Sequence, residues 1–357
     1  MGRFLPLFGL LLVTACGAGD STPESTNLLV VVMDTTRGDR CSLNGYERST
    51  TPNLDRIAAG GTVYTDAWAP TSWTGPAHAS MFTGLRPENH GFRSGVRLYL
   101  DPSARTLAEI LSDGGYATAC LTNNPQISEE MGLIQGFEVY EEGGVRENSA
   151  RWTTDRALEI AKRHRADGRP FFVFVNDWEP HLPYDPPERI AGDFLPEGVD
   201  PAEVARLRKF KADVPVLFGE TWRAFGRRQW EILSGLYDAE IAALDVELGR
   251  LVAGLDRAGI LDDTLLVIVG DHGENLGDHG LCSHVFSLHR SLRHVPLLVR
   301  FPDRFEPGRR VGETVRLEDL FPTILEVLDL PRPSGLDGTS LLTDGGPRLS
   351  RAVLGSL

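Results

Sequence analysis

The chain has 357 residues, and 36 Lys and Arg against 50 Asp and Glu give a net charge of −14 with histidine neutral. With 41% hydrophobic and 24% charged residues, the composition excludes a disordered or membrane-embedded chain. The acidic balance also argues against a nucleic-acid partner, because such binding needs clustered Lys and Arg to neutralise phosphates.

The N-terminal segment has the features of an export signal. An apolar run from Phe4 to Val13 is shorter than the ~20 residues of a membrane span. The sequence Val13-Thr14-Ala15-Cys16 resembles the lipobox of bacterial lipoproteins. We therefore predict a signal peptide over residues 1–15, acylation of Cys16 and a flexible tether over residues 16–26. The alternative is an ordinary signal peptide with a coincidental cysteine.

Apolar runs rich in β-branched residues alternate with helical patterns after residue 27. The runs predict strands over residues 28–33, 116–121, 171–175, 265–269 and 296–301. The patterns between them predict helices that begin at Pro52 and cover residues 107–111, 153–165, 228–255 and 318–328. This alternation indicates an α/β fold with a doubly wound, mostly parallel sheet, forming one domain over residues 27–357.

Residues 190–227 do not fit the alternation. This segment has scattered charge, three prolines and weak periodicity, so we interpret it as an insertion over the sheet, with a lid as one interpretation.

Polar side chains follow four of the predicted strands. They are Asp34 after the first, Asn123 after the second, His181 in the segment after the third, and Asp271 with His272 after the fourth. Ligands bind beyond the carboxyl ends of strands in open parallel sheets. We therefore expect carboxylates, amides and imidazoles to meet at one edge of the sheet.

A further candidate lies in the segment Trp73-Thr74-Gly75-Pro76-Ala77-His78. A proline is favoured at the first position of a helix, which predicts that Thr74 lies at or just before the N-cap. Backbone N–H groups and the helix dipole favour an anion or an ionised hydroxyl at such a position.

Taken together, these segments closely resemble sulfatases of the alkaline phosphatase superfamily. The matching motifs occur in order from residue 27 to about residue 342: Asp34-Thr35-Thr36-Arg37, Gly45-Tyr46, Thr51-Pro52-Asn53-Leu54-Asp55, Thr74 to Ser80, His181-Leu182-Pro183-Tyr184, Gly270 to Glu274, Gly277 to Gly280, and Leu336 to Leu341. The resemblance implies an alkaline phosphatase-like fold and a metal-assisted attack on a tetrahedral sulfate or phosphate centre.

The resemblance also assigns roles by motif position. The residues that resemble metal ligands are Asp34, Asp271 and His272, and Thr74 resembles a nucleophile that touches the same metal. The groups that would hold the anion or protonate the leaving oxygen are His181 and His284. The residues that resemble substrate contacts are Asn123 and His78. A single divalent cation and donating imidazoles suit this chemistry.

Three features depart from a typical sulfatase. The nucleophile position holds Thr74 in place of the Cys or Ser that is oxidised to formylglycine, and threonine cannot give that aldehyde. Asp271-His272 replaces an Asp-Asn pair and His78 replaces an arginine, which favours manganese or zinc over calcium or magnesium. The short segment after Leu342 predicts that a C-terminal subdomain is missing or truncated.

The sequence therefore predicts an exported, lipid-anchored hydrolase or phosphotransferase whose Thr74 attacks a phosphoester. The expected substrate is a small-molecule, glycan-linked or lipid-linked ester, and the expected place is the periplasmic or outer-membrane face of a bacterial cell envelope. One alternative is a sulfatase that works without formylglycine. Another is a degenerate surface-binding lipoprotein that has lost turnover. Hydrolysis versus transfer and the oligomeric state are left open.

Overall fold

The computed structural model describes residues 26–144, 149–211, 225–284, 287–342 and residue 355. Cys16 and the predicted signal peptide therefore lie outside the described residues. Within the described part, no helix is both long enough and apolar enough to span a membrane.

The strands alternate with helices along the chain, as the apolar runs predict. In chain order the strands are β1 (Asn27–Met33), β2 (Thr62–Tyr64), β3 (Ala67–Trp68), β4 (Ala117–Thr122), β5 (Val139–Glu142), β6 (Phe171–Asp177), β7 (Thr264–Gly270), β8 (Asn275–Leu276), β9 (Cys282–Ser283), β10 (His294–Val295), β11 (Leu297–Arg300), β12 (Arg309–Val311) and β13 (Val315–Arg316). The α-helices are α1 (Pro52–Ala58), α2 (Thr74–Thr83), α3 (Pro87–His90), α4 (Leu107–Asp113), α5 (Ser149–Asp167), α6 (Glu188–Ala191), α7 (Pro201–Arg208), α8 (Arg227–Arg257), α9 (Arg290–Arg293) and α10 (Leu320–Val327).

Among the described residues, eight strands form the main sheet in the order β12-β2-β11-β7-β1-β6-β4-β5. Strands β7, β1, β6, β4 and β5 are parallel neighbours, whereas β11 pairs antiparallel with both β7 and β2. The mostly parallel, doubly wound sheet is thereby confirmed. The predicted strand near residue 296 is present, with the opposite direction to β7.

The sheet is buried on both faces, which explains why its central strands are apolar throughout. Side chains alternate along β1, so that Leu29 and Val31 pack into one core and Leu28, Val30 and Val32 into the other. The first core includes α1, α5 and α8, and the second includes α2, α4 and α10. This three-layer arrangement brings the start of α2 to the edge where β1 and β7 end.

The described part of the predicted insertion is helical. Helices α6 and α7 pack against α8, and Leu207 of α7 is fully buried in the first core. Residues 212–224 lie outside the described residues. Both the lid interpretation and the missing C-terminal subdomain stay predictions.

Candidate functional site

The carboxyl end of β1 supplies the first buried carboxylate, Asp34, which is fully inaccessible to solvent. Its Oδ2 accepts a hydrogen bond from Asn124 Nδ2 at 2.6 Å and a longer one from Asn176 Nδ2 at 3.5 Å. Its Oδ1 has no hydrogen-bond partner among the described residues. Asn176 belongs to β6, which is next to β1, and Asn124 follows β4, the next strand along, so the two amides come from the ends of successive strands on one side of β1.

The end of β7 supplies Asp271 and His272, both fully buried. Asp271 Oδ1 accepts from the backbone N–H of Thr35 at 3.0 Å and of His272 at 2.8 Å, which ties the two loops together. Asp271 Oδ2 has no hydrogen-bond partner among the described residues, although His272 Nε2 lies 3.4 Å away. His272 Nδ1 donates to the carbonyl of Gly273 at 3.0 Å, and this leaves the lone pair on Nε2 free to accept.

Thr74 is the first residue of α2, with Trp73 at the N-cap. The prediction that Pro76 occupies the first helical position is therefore wrong by two residues. Proline is tolerated at the third position because the first N–H groups of a helix have no intrahelical partner. The Thr74 hydroxyl does not cap the helix but lies 3.2 Å from His272 Nε2.

These residues fit a divalent cation. Asp34, Asp271 and His272 each offer a ligand atom, and the three atoms lie within 4.8 Å of one another. Burial, and secondly the Asp271 carboxylate, raise the pKa of Asp34 well above its usual range; burial raises the pKa of Asp271 to about 7. Two buried carboxylates, each with an unpaired oxygen, lack the positive charge that a bound cation supplies.

Two further histidines flank this cluster. The rings of His272 and His284 are 4.6 Å apart between centroids, and those of His284 and His181 are 4.9 Å apart. His181 packs on Trp178 at 3.9 Å and donates from Nδ1 to the carbonyl of Leu182 at 2.7 Å. Burial, and then His272, lower the pKa of His284 well below its usual range. The three imidazoles thus form a row that begins at His272, whose Nε2 lies 3.2 Å from the Thr74 hydroxyl.

His78 lies behind the hydroxyl, within α2. Its Nδ1 donates to the carbonyl of Thr74 at 2.8 Å, and its Nε2 lies 3.4 Å from Asn176 Nδ2. The ring packs edge-on against Phe82 and Phe174. Burial lowers its pKa to about 3, so His78 is a neutral imidazole that fixes the first turn of the helix.

Asn123 is fully buried, and its amide has no hydrogen-bond partner among the described residues. A Cβ placed on Gly143 would lie 2.4 Å from Asn123 Oδ1, so the side chain lies against that glycine. The next residue, Asn124, is the one that contacts Asp34. The structure therefore brings together Asp34, Thr74, Asp271 and His272, with His181 and His284 beside them.

Sequence reasoning missed several residues that organise this site. Asn124 and Asn176 bind Asp34, Tyr237 donates to the carbonyl of Thr35 at 2.7 Å, and Glu274 contacts His284 at 3.1 Å. The two asparagines and Glu274 lie at strand ends next to residues that the sequence predicts for the site. Their position at a strand end could therefore have identified them as site residues. Tyr237 lies within α8, and only its distant contact with the loop after β1 reveals it.

Comparisons with known proteins identify one family by sequence and several structures with a similar fold. The family model described as Sulfatase matches residues 26–330. The arylsulfatase of Clostridium perfringens is 24% identical over 380 residues, covering 88% of this chain and 77% of the relative. The crystal structure of the phosphonate monoester hydrolase of Agrobacterium radiobacter superposes with a TM-score of 0.74 at 23% identity, covering 91% of this chain and 79% of that one. A structure in complex with its substrate D-glucosamine-2-N,6-O-disulfate superposes with a TM-score of 0.69 at 21% identity, covering 89% and 79%.

Proposed function

The chain belongs to the sulfatase family, and from this premise we propose that it is a metal-dependent phosphoester hydrolase or phosphotransferase with Thr74 as its nucleophile. One observation carries the proposal. The Thr74 hydroxyl, at the first position of α2, lies 3.2 Å from His272 Nε2 and therefore beside the two buried carboxylates with unpaired oxygens.

The residue type at this position favours phosphorus over sulfur. A sulfatase needs an aldehyde hydrate, because its second hydroxyl expels sulfate from the sulfated enzyme. Threonine cannot be oxidised to an aldehyde, whereas its hydroxyl can form a phosphothreonine that water or another hydroxyl later cleaves. The fold neighbour from Agrobacterium radiobacter, a phosphonate monoester hydrolase, supports a phosphorus centre as a substrate for this fold.

In the proposed reaction Thr74 Oγ forms a bond to phosphorus while the bond from phosphorus to the leaving oxygen breaks. The Thr74 hydroxyl loses its proton to a neutral imidazole, that of His181 or His284, which then gives a proton to the leaving oxygen; the two rings lie 4.9 Å apart between centroids. The backbone N–H groups at the start of α2 favour the negative charge of the phosphoryl group.

Asp34, Asp271 and His272 would hold the divalent cation. When bound, the cation would lower the pKa of a neighbouring hydroxyl and neutralise the charge that develops on the phosphoryl oxygens. One imidazole and two carboxylates are a donor set that favours manganese or zinc over calcium or magnesium.

The proposal extends to the place and the substrate. We expect export and membrane attachment through an acylated Cys16, and a substrate that is a small-molecule, glycan-linked or lipid-linked ester. The fold neighbour solved with a disulfated glucosamine supports a sugar-linked ester as one class to test.

The test compares an aryl phosphate monoester, a phosphodiester and an aryl sulfate with the same leaving group, using manganese-loaded protein. Phosphoester turnover should exceed sulfate turnover, and low-pH trapping should give a phosphate adduct on the peptide that contains Thr74. Thr74→Ala should lower the rate by a factor on the order of 10⁴ to 10⁶, since a nucleophile acts as a unit with its partners. Thr74→Ser should keep much of the rate.

Thr83→Ala is the matched control, because Thr83 is a buried threonine of the same helix whose hydroxyl donates to the carbonyl of Ala79. It should leave turnover unchanged. A wild-type protein that hydrolyses the aryl sulfate fastest would favour the sulfatase alternative, and one that turns over no ester would favour the degenerate binding protein. Undiminished turnover in Thr74→Ala would exclude this nucleophile.

A further inference from the structure

Tyr237 lies within α8, and its hydroxyl closes the loop that follows β1. The hydroxyl donates to the main-chain carbonyl of Thr35 at 2.7 Å and accepts from the backbone N–H of Arg37 at 2.9 Å. The direction of both bonds is fixed, because a carbonyl can only accept and a backbone N–H can only donate. Tyr237 is fully buried, so neither bond competes with bulk water.

The backbone of Thr35 has an unusual conformation, with a φ of 51°. This left-handed region is unfavourable for a β-branched residue, because its Cβ crowds the neighbouring carbonyl. Such a conformation persists only where the surrounding structure holds it. The backbone of Thr35 is held at both ends, by its carbonyl on Tyr237 and by its N–H on Asp271 Oδ1 at 3.0 Å.

Thr35 also connects the two carboxylates of the candidate metal site. It follows Asp34 directly in the chain, and its N–H occupies one oxygen of Asp271, which leaves Oδ2 without a hydrogen-bond partner among the described residues. The ligand atoms of Asp34, Asp271 and His272 lie within 4.8 Å of one another. If the backbone of Thr35 relaxed to an extended conformation, Asp271 would lose this donor and Asp34 would change direction relative to it.

We propose that Tyr237 is a positioning residue for the divalent cation: its hydroxyl holds Thr35 in the left-handed conformation and thereby keeps Asp34 and Asp271 in the arrangement that binds the ion. Tyr237 acts through Thr35 and is not itself a ligand. Groups that orient metal ligands from behind typically change metal affinity by about 10- to 100-fold. The inference rests on the metal site of the proposed function and is independent of the nucleophile and of the ester.

The first measurement is a titration of chelator-treated, full-length protein with Mn²⁺, in which electron paramagnetic resonance reports the free ion. Tyr237→Phe removes the hydroxyl but keeps the ring and its edge-on packing against Tyr184 at 5.4 Å. The variant should raise Kd for Mn²⁺ by roughly 10- to 100-fold. A merely structural hydroxyl would lower the stability of the chelated protein to urea and leave Kd unchanged, and that result would overturn the proposal.

The second measurement asks whether the hydroxyl acts through the conformation of Thr35. Glycine adopts positive φ without a steric cost, so a protein that carries Thr35→Gly should need the hydroxyl less. Adding Tyr237→Phe to that protein should raise Kd by a much smaller factor than in the wild type. The effect of Thr35→Gly itself cancels in this double-mutant cycle. An equal loss of affinity in both backgrounds would refute the route through Thr35.

The matched control is Tyr116→Phe. The Tyr116 hydroxyl also donates to a main-chain carbonyl, that of Thr26, at 2.9 Å. Tyr116 is buried and directly precedes β4, at the amino ends of the parallel strands and thus at the opposite edge of the sheet from the site. This variant should leave Kd for Mn²⁺ unchanged.

The outcomes separate this inference from the proposed reaction. If the wild type binds Mn²⁺ with the expected dependence on Tyr237 but cleaves no ester, the reaction is excluded and the positioning role stands. If the wild type cleaves phosphoesters but Tyr237→Phe has the same Kd, the reaction stands and the positioning role is excluded. A wild type that binds no Mn²⁺ would overturn both.

Discussion

Asp271→Asn is expected to stabilise the metal-free protein while abolishing its affinity for metal. The wild-type carboxylate is fully buried, with one oxygen bonded to two backbone N–H groups and the other without a partner among the described residues. The asparagine oxygen can keep both backbone bonds. Its amide nitrogen would take the place of Oδ2, which lies 3.4 Å from His272 Nε2, an available acceptor.

The magnitude follows from the pKa of Asp271, which burial raises from 3.8 to about 7. One pKa unit corresponds to about 1.4 kcal/mol, so the ionised carboxylate costs the folded, chelated protein about 4 kcal/mol above pH 7. Because the folded-state pKa is raised, this cost is absent below pH 3.8, where both states are protonated, and grows until about pH 7. The neutral asparagine avoids it and also removes a charge that disfavours ionisation of Asp34.

The assay is urea unfolding of chelator-treated protein at pH 8, with and without manganese. Chelated Asp271→Asn should have the higher free energy of unfolding. Added manganese should raise the stability of the wild type, because it binds only the folded state, and should have no effect on the variant. Equal or lower stability of the chelated variant at pH 8 would refute the argument from an uncompensated buried charge.

Asp238→Asn provides the contrast for this measurement. Asp238 is also fully buried, but its Oδ2 accepts from Tyr46 and from Arg48, each at 2.8 Å. Burial raises the pKa of Asp238 as well, but this carboxylate is paired with Arg40 and Arg48. An amide removes the negative charge from both guanidinium groups and turns an N–H donor towards one of them, which should cost about 1 to 3 kcal/mol with or without metal. The two substitutions should therefore change stability in opposite directions in the chelated protein.

Three other outcomes test separate parts of the account. Asp34→Ala should remove stoichiometric metal, measured by elemental analysis, and retained metal would exclude the proposed ligand set. Gly75→Ala should lower stability by about 1 to 3 kcal/mol, because the new Cβ would lie 2.4 Å from Phe92 Cζ; an unchanged thermal midpoint would contradict the close packing. Cys16→Ser should release the protein from membranes, and equal recovery of variant and wild type in the soluble periplasmic fraction would rule out the anchor.

The order of strands and the site ligands were accessible from the sequence, for local reasons. Strands buried on both faces are apolar throughout, so β1, β4, β6 and β7 stand out as apolar runs. The carboxyl ends of parallel strands share one edge, so Asp34 and Asp271 could be predicted to lie together before any distance was known.

Contacts between distant segments were not accessible in this way. Whether Asn123 or Asn124 faces Asp34 depends on how the chain turns after β4, and the structure assigns that contact to Asn124. The start of α2 depends on the extended backbone of Trp73, which the proline two residues after Thr74 did not reveal. In both cases the deciding interactions are with neighbouring strands and loops, and local patterns do not encode them.

What the sequence by itself determined was the α/β class, the strand order along the chain and the residue types at the strand ends, because these follow from local apolar patterns and side-chain chemistry. Only the tertiary structure decided that β11 runs against β7, that Glu274 meets His284, and that Tyr237 and Arg37 hold the loop after β1. The physical reason is separation along the chain: Tyr237 lies 202 residues from Thr35, and Arg37 lies 237 residues from Glu274. Such contacts exist only once the sheet has brought its strand ends to one edge.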